Sequence, residues 1–306
     1  MSESIEVQGK ALTVNRGVFR LCRLRDEYYQ FVENPAEFLV TLKKDRRANA
    51  DLFTFIQEIP DRTPRFDFPL EWDSAAVVPL TTFDHWWNKQ INAKTRNMVR
   101  KAQKCGVEIR LAEFNDELLL GIQRIYNESP LRQGRRFWHY NKDLETIRRE
   151  HATFFEQSQF VGAYHQGHLI GFIKLVHGRG VSSLMNIISM ISHRDKAPTN
   201  ALIGKAVEIC TERQVPLLQY GTGNSRTIGD FKKHHAFEEF RVPRYFVPLT
   251  LTGATVLKLG LHRRLDQRLP ENWRDKMLAV RGRWNAFRFR KVNQVGAVAQ
   301  PAEQRV

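Results

Sequence analysis

The sequence predicts an α/β protein with a mixed, twisted sheet and flanking helices, and three observations carry that expectation. Downstream of Gly106, short runs rich in Val, Ile, Leu and Phe alternate with segments of helical periodicity. Two of the runs, 160–164 and 169–176, are joined only by His165-Gln166-Gly167-His168, the signal of a tight antiparallel hairpin. Other runs are separated by a helix-length stretch, the signal of a parallel crossover. Hairpins and crossovers in one unit require a mixed sheet.

The elements follow in order. Residues 18–22 and 52–56 read as strands and 36–46 as a helix, before Pro60, Pro64 and Pro69 break the chain into loop. Asp84 is the expected N-cap of a helix starting near His85. Trp87, Ile91, Met98 and Ala102 form its apolar stripe, with Lys89, Arg96 and Arg100 on another side and Gly106 as the stop. Residues 107–114 are a strand, and 116–126 a helix with Leu118, Leu119, Ile122 and Ile125 inward. A loop, Asn127 to Tyr140, precedes a helix over 144–155. After the hairpin come a strand at 181–191 and a helix over 200–213 capped by Thr199. A buried strand at 216–220 leads into the glycine loop Gly221-Thr222-Gly223-Asn224-Ser225. A short helix over 227–235 and a strand pair at 239–242 and 244–249 close the unit.

The 306 residues suffice for one large domain or two small ones. No apolar run approaches the ~18 residues of a membrane span, and residues 1–7 lack a basic region followed by an apolar one, so no signal peptide is expected. Cys22, Cys105 and Cys210 are isolated and odd in number, which fits reduced thiols and a cytoplasmic setting. The net charge of +15 is localised: residues 86–110 carry +6 of it and residues 258–291 carry +8. Such clustering points to polyanionic partners. The expected organisation is a partial αβ region over 1–85, a basic helix over 86–106, the main α/β domain over 107–252, and a basic tail over 253–306.

The order of elements over 107–250 resembles the GNAT superfamily of N-acyltransferases, and within it the Fem-type branch that includes the peptidoglycan bridge aminoacyltransferases. Three stretches carry the resemblance: AKTRNMVRKAQKCGVEI (Ala93 to Ile109), similar to the basic helix leading into the domain; APTNALIGKAVEIC (Ala197 to Cys210), in the place of the donor-binding helix; and GDFKKHHAFEE (Gly229 to Glu239), similar to a Phe-Lys segment before the closing strands. NESPLRQGRRFWHY (Asn127 to Tyr140) resembles the loop after the first helix in members encoded with envelope-polysaccharide genes. One departure matters. Where acetyl-CoA enzymes carry Arg/Gln-x-x-Gly-x-Gly/Ala, this chain reads Arg194-Asp195-Lys196-Ala197-Pro198-Thr199. Both glycine positions are changed and Pro198 removes an N–H, so the cradle for a pyrophosphate is altered.

The resemblance implies an N-acyltransferase. Acyl transfer to an amine needs a neutral amine, donors for the oxyanion and a proton for the leaving group. By the resemblance, Lys232 lies near the acyl centre as a fixed ammonium. Glu128 is read as a base or an orienting group for the amine, and Tyr245 as a proton donor to the leaving group. Arg132, Arg135 and Arg136 are read as a clamp on phosphate or carboxylate, which guanidinium holds bidentately, with His139 and Tyr220 as further substrate contacts. Arg194, Thr199, Asn200, Gly221 and Gly223 are the expected donor-side residues.

No metal-ligand spacing is present. No tightly bound cofactor is expected, and acyl-CoA is the implied co-substrate. The expected partners are an amine-bearing cell-envelope precursor and a charged tRNA as a rival donor; the tail, WRDKMLAVRGRWNAFRFRK, reads as lying on an anionic membrane face, tracking RNA, or docking on the domain as a helix with a charged outer face. A non-catalytic scaffold of the same fold is the rival of another class, with the tail as its anchor.

Overall fold

A computed structural model of the chain describes residues 2–222 and 226–263. The N-terminal meander comprises β1 (Ser2–Val7), β2 (Lys10–Arg16) and β3 (Arg20–Leu24). Val7, Leu12, Val14, Cys22 and Leu24 point to one buried face with the period of two that a half-buried strand requires. Helix α1 (Pro35–Lys44) starts where Asn34 accepts from the Glu37 N–H and proline occupies the first turn. It buries Phe38, Leu39 and Leu42 against that face. Then come β4 (Leu52–Ile56), buried at each position, and β5 (Leu70–Pro79).

Helix α2 (Phe83–His85) runs into a π-turn at Trp86–Gln90, and a new helix, α3 (Ala93–Lys104), follows. The single helix expected from His85 is therefore two. Ile91 is extended, and Asn92 caps α3 by accepting from the Thr95 N–H at 2.9 Å. Upstream of the break, Trp86 is fully buried and its indole N–H donates to the His235 carbonyl at 3.2 Å. The cap of α2 is Thr82, not Asp84.

The remaining elements are β6 (Val107–Ala112), α4 (Asp116–Asn127), β7 (Leu131–Arg132), β8 (Arg135–Arg136), α5 (Leu144–His151), β9 (Ser158–His165), β10 (His168–His177), β11 (Ser182–Ser189), α6 (Pro198–Glu212), β12 (Leu217–Thr222), α7 (Arg226–His234), β13 (Glu238–Pro248) and α8 (Leu251–Lys258). Strands β7 and β8 form a small hairpin of their own, turned by Gln133 and Gly134, both at positive φ. The closing strand pair expected around Pro243 is one strand. The ladder to β4 starts only at Arg244, so the missing N–H of Pro243 falls where that pairing has ended.

One mixed sheet of eleven strands has the order β1-β2-β3-β4-β13-β5-β12-β11-β10-β9-β6. Strand β5 lies between β12 and β13, so the residues expected to form a separate N-terminal region supply an interior strand beside the C-terminal ones. Pairing is antiparallel except for β3–β4 and β11–β12. The two faces of the C-terminal sheet differ. Ile173, Leu175, Leu184 and Leu218 pack beneath α6 with Trp86 and Ala102. Phe160, Leu169 and Phe172 face α4 and α5. Residues 264–306, which contain nearly all of the basic tail, lie outside the described residues.

Candidate active site

The two parallel strands at the centre, β11 and β12, pair only at Ser182–Leu218 and Ser183–Gln219. Beyond those positions β12 keeps its partner β5 through Thr222, while β11 bulges at Met185 and follows β10 to Ser189. A bulge bends a strand and strengthens its twist, so the strands part and Met185 to Met190 are only partly buried. A gap between the carboxyl ends of neighbouring parallel strands is where open α/β sheets bind ligands.

On the β12 side, Tyr220 lies under Lys232, whose ammonium is 4.6 Å from the ring centroid. Lys232 is 6% exposed, and burial lowers its pKa to about 8. Phe237 meets the Tyr220 ring edge-on at 5.7 Å, and burial pushes the phenol up to about 12. Gly221 has φ +56°, a conformation glycine adopts without strain. Gly223 lies outside the described residues. Lys232 and Tyr220, named separately from the sequence, are thus in direct contact at the rim of the gap.

On the β11 side, the stretch Asn127 to Tyr140 divides into a fixed part and a free part. The Glu128 carboxylate accepts from the backbone N–H groups of Ile191 (2.6 Å) and Ser192 (2.8 Å) and from the Ser192 hydroxyl (2.7 Å). Burial alone would raise its pKa, but those donors and Arg132 outweigh it and hold the carboxyl below its ordinary range. Arg132 donates to the Ser189 and Ile125 carbonyls at 2.7 and 3.0 Å and to Glu128 at 3.3 Å, and its guanidinium lies over Phe137. Burial is the main pull lowering the Arg132 pKa, and the Arg194 charge adds to it. A carboxylate and a guanidinium so engaged hold the loop before α6 in place. In this arrangement Glu128 is not a free base, and Arg132 is not a free clamp.

Arg135 and Arg136 are exposed on β8 and make the free part. Arg136 lines a cleft of about 350 Å³ with Pro130, Phe137, Tyr140 and Asn141. Beside it Trp138 is 79% exposed, with the Lys142 ammonium 5.3 Å from its ring. His139 instead turns inward: it stacks on Tyr126 at 4.4 Å, and burial followed by the Lys142 charge lowers its pKa to about 4.

Helix α6, where the resemblance places donor binding, departs from expectation at its start. Helix α6 begins at Pro198, and its N-cap is Ala197 at φ +55° with no side-chain cap. The Thr199 hydroxyl bonds Ser189 at 2.7 Å across the loop instead of capping the helix, and the Asn200 N–H is turned to the Ala197 carbonyl at 3.1 Å. Arg194 is exposed at the start of the preceding 3-10 turn. Two backbone donors of this loop are already taken by Glu128.

Tyr245 is the clearest correction. It is fully buried in the N-terminal core, ringed by Phe55 and Phe66, and strand β5 separates β13 from β12. Its hydroxyl donates to Gln57 at 2.7 Å and accepts from the Arg65 N–H at 2.9 Å. A phenol held this way serves the core and reaches no leaving group at the gap.

Sequence reasoning missed a polar layer under α5. Lys174 is fully buried and donates to the carbonyls of His151 (2.8 Å) and Thr153. His151 accepts or donates at the Tyr126 hydroxyl, 3.0 Å away. A lone lysine inside an otherwise apolar strand, HLIGFIKLVH, was the available signal. Among the described residues no cluster of His, Cys, Asp and Glu could hold a metal ion, and no helix is long and apolar enough to cross a membrane.

No protein-family model matches the sequence, and no curated protein matches it. Solved structures do. The chain is similar to FemX (TM-score 0.57, 11% identity, covering 84% of this chain and 90% of that one). It is similar to a C-terminal domain, DUF2156, attributed to a lysylphosphatidylglycerol synthetase of Agrobacterium fabrum (TM-score 0.55, 14% identity, 84% and 89%). A third is L-PGS from Bacillus licheniformis (TM-score 0.51, 14% identity, 86% and 90%). At these identities the likeness is one of fold: a Fem-like architecture with a large mixed sheet and flanking helices.

Proposed function

We propose that this protein is an N-acyltransferase that moves an acyl or aminoacyl group from an activated donor to an amine on a cell-envelope or polysaccharide precursor. The observation that carries the reading is the gap between β11 and β12 with Lys232 buried at its rim over Tyr220. A donor carbonyl in that gap would meet an ammonium in a poorly hydrated setting, where a fixed charge stabilises an oxyanion far better than in water. With a pKa near 8, Lys232 also holds a proton that a leaving thiolate or alkoxide can take. The likeness to FemX and to L-PGS supports a transferase.

The donor we favour is an aminoacyl-tRNA over an acyl-CoA. A pyrophosphate cradle needs converging free N–H groups. Here Ile191 and Ser192 give theirs to Glu128, and Pro198 has none. The cations of α3 add to the case. Lys94, Arg100, Lys101 and Lys104 are exposed, pair with no acid among the described residues, and lie on a helix packed against α6. Phosphate backbones bind such faces. On this reading Arg135 and Arg136 hold an anionic group of the precursor, and the tail meets an anionic membrane face. The rival scaffold reading rests on that tail alone.

The test is a thermal-unfolding titration at fixed low salt with acetyl-CoA, longer acyl-CoAs and charged tRNA. A ligand that binds only the folded state raises the melting temperature. A rise with charged tRNA that fades steeply with salt supports the aminoacyl reading. A rise with acyl-CoA alone replaces it with the acyl-CoA reading. No rise with any donor, in folded protein, sinks the transferase.

A further inference from the structure

The N-terminal region contributes more than strands. The loop after β3, from Arg25 to Gln30, crosses to the α5 face of the C-terminal sheet. Tyr28 packs against the apolar cluster that includes Val77 and Val181. The Tyr29 ring lies 6.1 Å from Phe154 at the end of α5. The charge of Asp26 is felt at Lys174, which is buried in β10. This loop therefore walls the side of the gap opposite α6.

The wall covers a buried polar atom left without a partner. Cross-strand neighbours share a face, so the pairings Val176–Ser183, Ser183–Gln219 and Gln219–Val77 put Gln219 on the same face as Lys174 and Tyr28. Gln219 sits at the last pairing of β11 with β12, the point where the strands part. It is 1% exposed. Its carbonyl oxygen accepts from the Ser183 hydroxyl at 3.1 Å, while its amide nitrogen is buried with no hydrogen bond. The Tyr28 hydroxyl is buried and adjoins the Arg244 guanidinium, whose well-formed hydrogen bonds go to Glu27 and Asp73. An unmet buried polar group is destabilising, and native proteins keep such groups where a ligand or water completes them. Among the described residues Asp26 has one side-chain partner, the exposed Arg25 at 3.1 Å, which leaves most of its accepting capacity open.

We infer that Asp26, Tyr28 and Gln219 form the subsite for the accepting amine: Asp26 takes the ammonium, and the Gln219 amide and Tyr28 hydroxyl bind an oxygen beside it. The ligand class is a primary amine flanked by a hydroxyl or carbonyl oxygen, which an amino sugar and an amino-acid amide both supply. This rests on the transferase reading, and it gives the N-terminal region a task in the site.

Calorimetric titration of the full chain with glucosamine, glucose, glycinamide and ethylamine tests it. Glucosamine or glycinamide should bind about tenfold more tightly than glucose or ethylamine. Asp26→Asn should weaken the amines about tenfold, the scale of one charged hydrogen bond, and leave glucose unchanged. Gln219→Leu should weaken glucosamine and glycinamide but spare ethylamine. Tyr28→Phe, which removes only a hydroxyl, reads the same contact if Gln219→Leu does not fold. Equal binding by wild type and Asp26→Asn overturns the subsite, as does a crystal structure with only a water on Gln219 and Tyr28 in saturating amine. Stronger binding of glucosamine than of glycinamide names the sugar as source, and the reverse order names the peptide. Amine binding that Asp26→Asn removes, without transfer from any donor, keeps the subsite and removes the transferase. Transfer with an unaltered KM for the amine in Asp26→Asn does the opposite.

Discussion

Lys174 on β10 and Lys232 on α7 are both buried, and burial lowers the pKa of each to about 8. Their surroundings differ. Lys174 donates to His151 and Thr153 carbonyls and to the Thr153 hydroxyl at 3.2 Å, so it closes the carboxyl end of α5 from beneath. Helix ends leave carbonyls without intrahelical partners, and a cation there also suits the helix dipole. Lys232 lies over an aromatic face beside an opening in the sheet. The difference teaches that a shifted pKa does not by itself mark an active site. What the ammonium faces decides whether it is structural or chemical.

Replacing Lys174 should have the largest effect on folding. Lys174→Met keeps the bulk but strands two buried carbonyls, and each costs about 1–3 kcal/mol. We expect a loss of about 2–5 kcal/mol, read as a lower urea midpoint at unchanged m-value. A loss under about 1 kcal/mol would dissolve the contrast between the two lysines.

Lys232→Met should do the reverse. Its chief effect should be on turnover, which falls about 100-fold or more, the scale of one oxyanion donor. The pH dependence sharpens this. The native pKa lies near 8 and the unfolded one near ~10.4. Between these values the unfolded chain binds more protons, so the stability tied to Lys232 rises with pH across that window and is flat below it. The wild-type-minus-variant difference should therefore climb by up to about 1.4 kcal/mol per pH unit above pH 8. A flat difference would mean that Lys232 is more hydrated than its 6% exposure implies.

Glu128→Ala tests the donor argument. The variant should lose about 1–3 kcal/mol, since it strands the Ile191 and Ser192 N–H groups and Arg132. It should also gain affinity for inorganic pyrophosphate, because the anion can now take those two donors. A variant that binds pyrophosphate no better than wild type would return the loss of acyl-CoA affinity to Pro198 and the missing glycines alone.

The C-terminal half was largely legible because its signals are local. The hairpin at His165–Gly167, the helical stripe of α4 and the alternation of elements can each be read within a dozen residues. The misses share a cause, which is that distant chain decided the outcome. Strand β5 begins just beyond a proline-rich stretch and finds its place only between β12 and β13. Trp86 is held by the carbonyl of His235, far along the chain. Within the site, Lys232 was singled out through a Phe-Lys motif and Tyr220 only as the end of a strand, and their contact was not legible. Tyr245 misled because a strand tyrosine looks the same in sequence whether its hydroxyl meets a cleft or Gln57. Asp26 and Tyr28 carried no local signal, since their place opposite Gln219 exists only after the N-terminal loop has crossed the sheet.

The stretch from Asn127 to Tyr140 repeats the lesson of the lysines on a smaller scale, with arginines. Arg132 is tied to the Ser189 and Ile125 carbonyls, whereas Arg135 and Arg136 stand in solvent on a hairpin whose turn is set by Gln133 and Gly134. Exposed side chains away from caps and buried networks change stability by no more than about 0.5 kcal/mol when removed. Arg135→Ala and Arg136→Ala should therefore unfold at the wild-type urea midpoint within that margin. If these side chains hold an anionic group of the acceptor, the KM for that acceptor should rise about tenfold with little change in kcat, the signature of binding that is equal in ground and transition states. A change in kcat alone would move the two arginines from holding the acceptor to acting at the acyl centre. A measurable loss of stability would show that the free half of the stretch is as structural as the half anchored by Glu128.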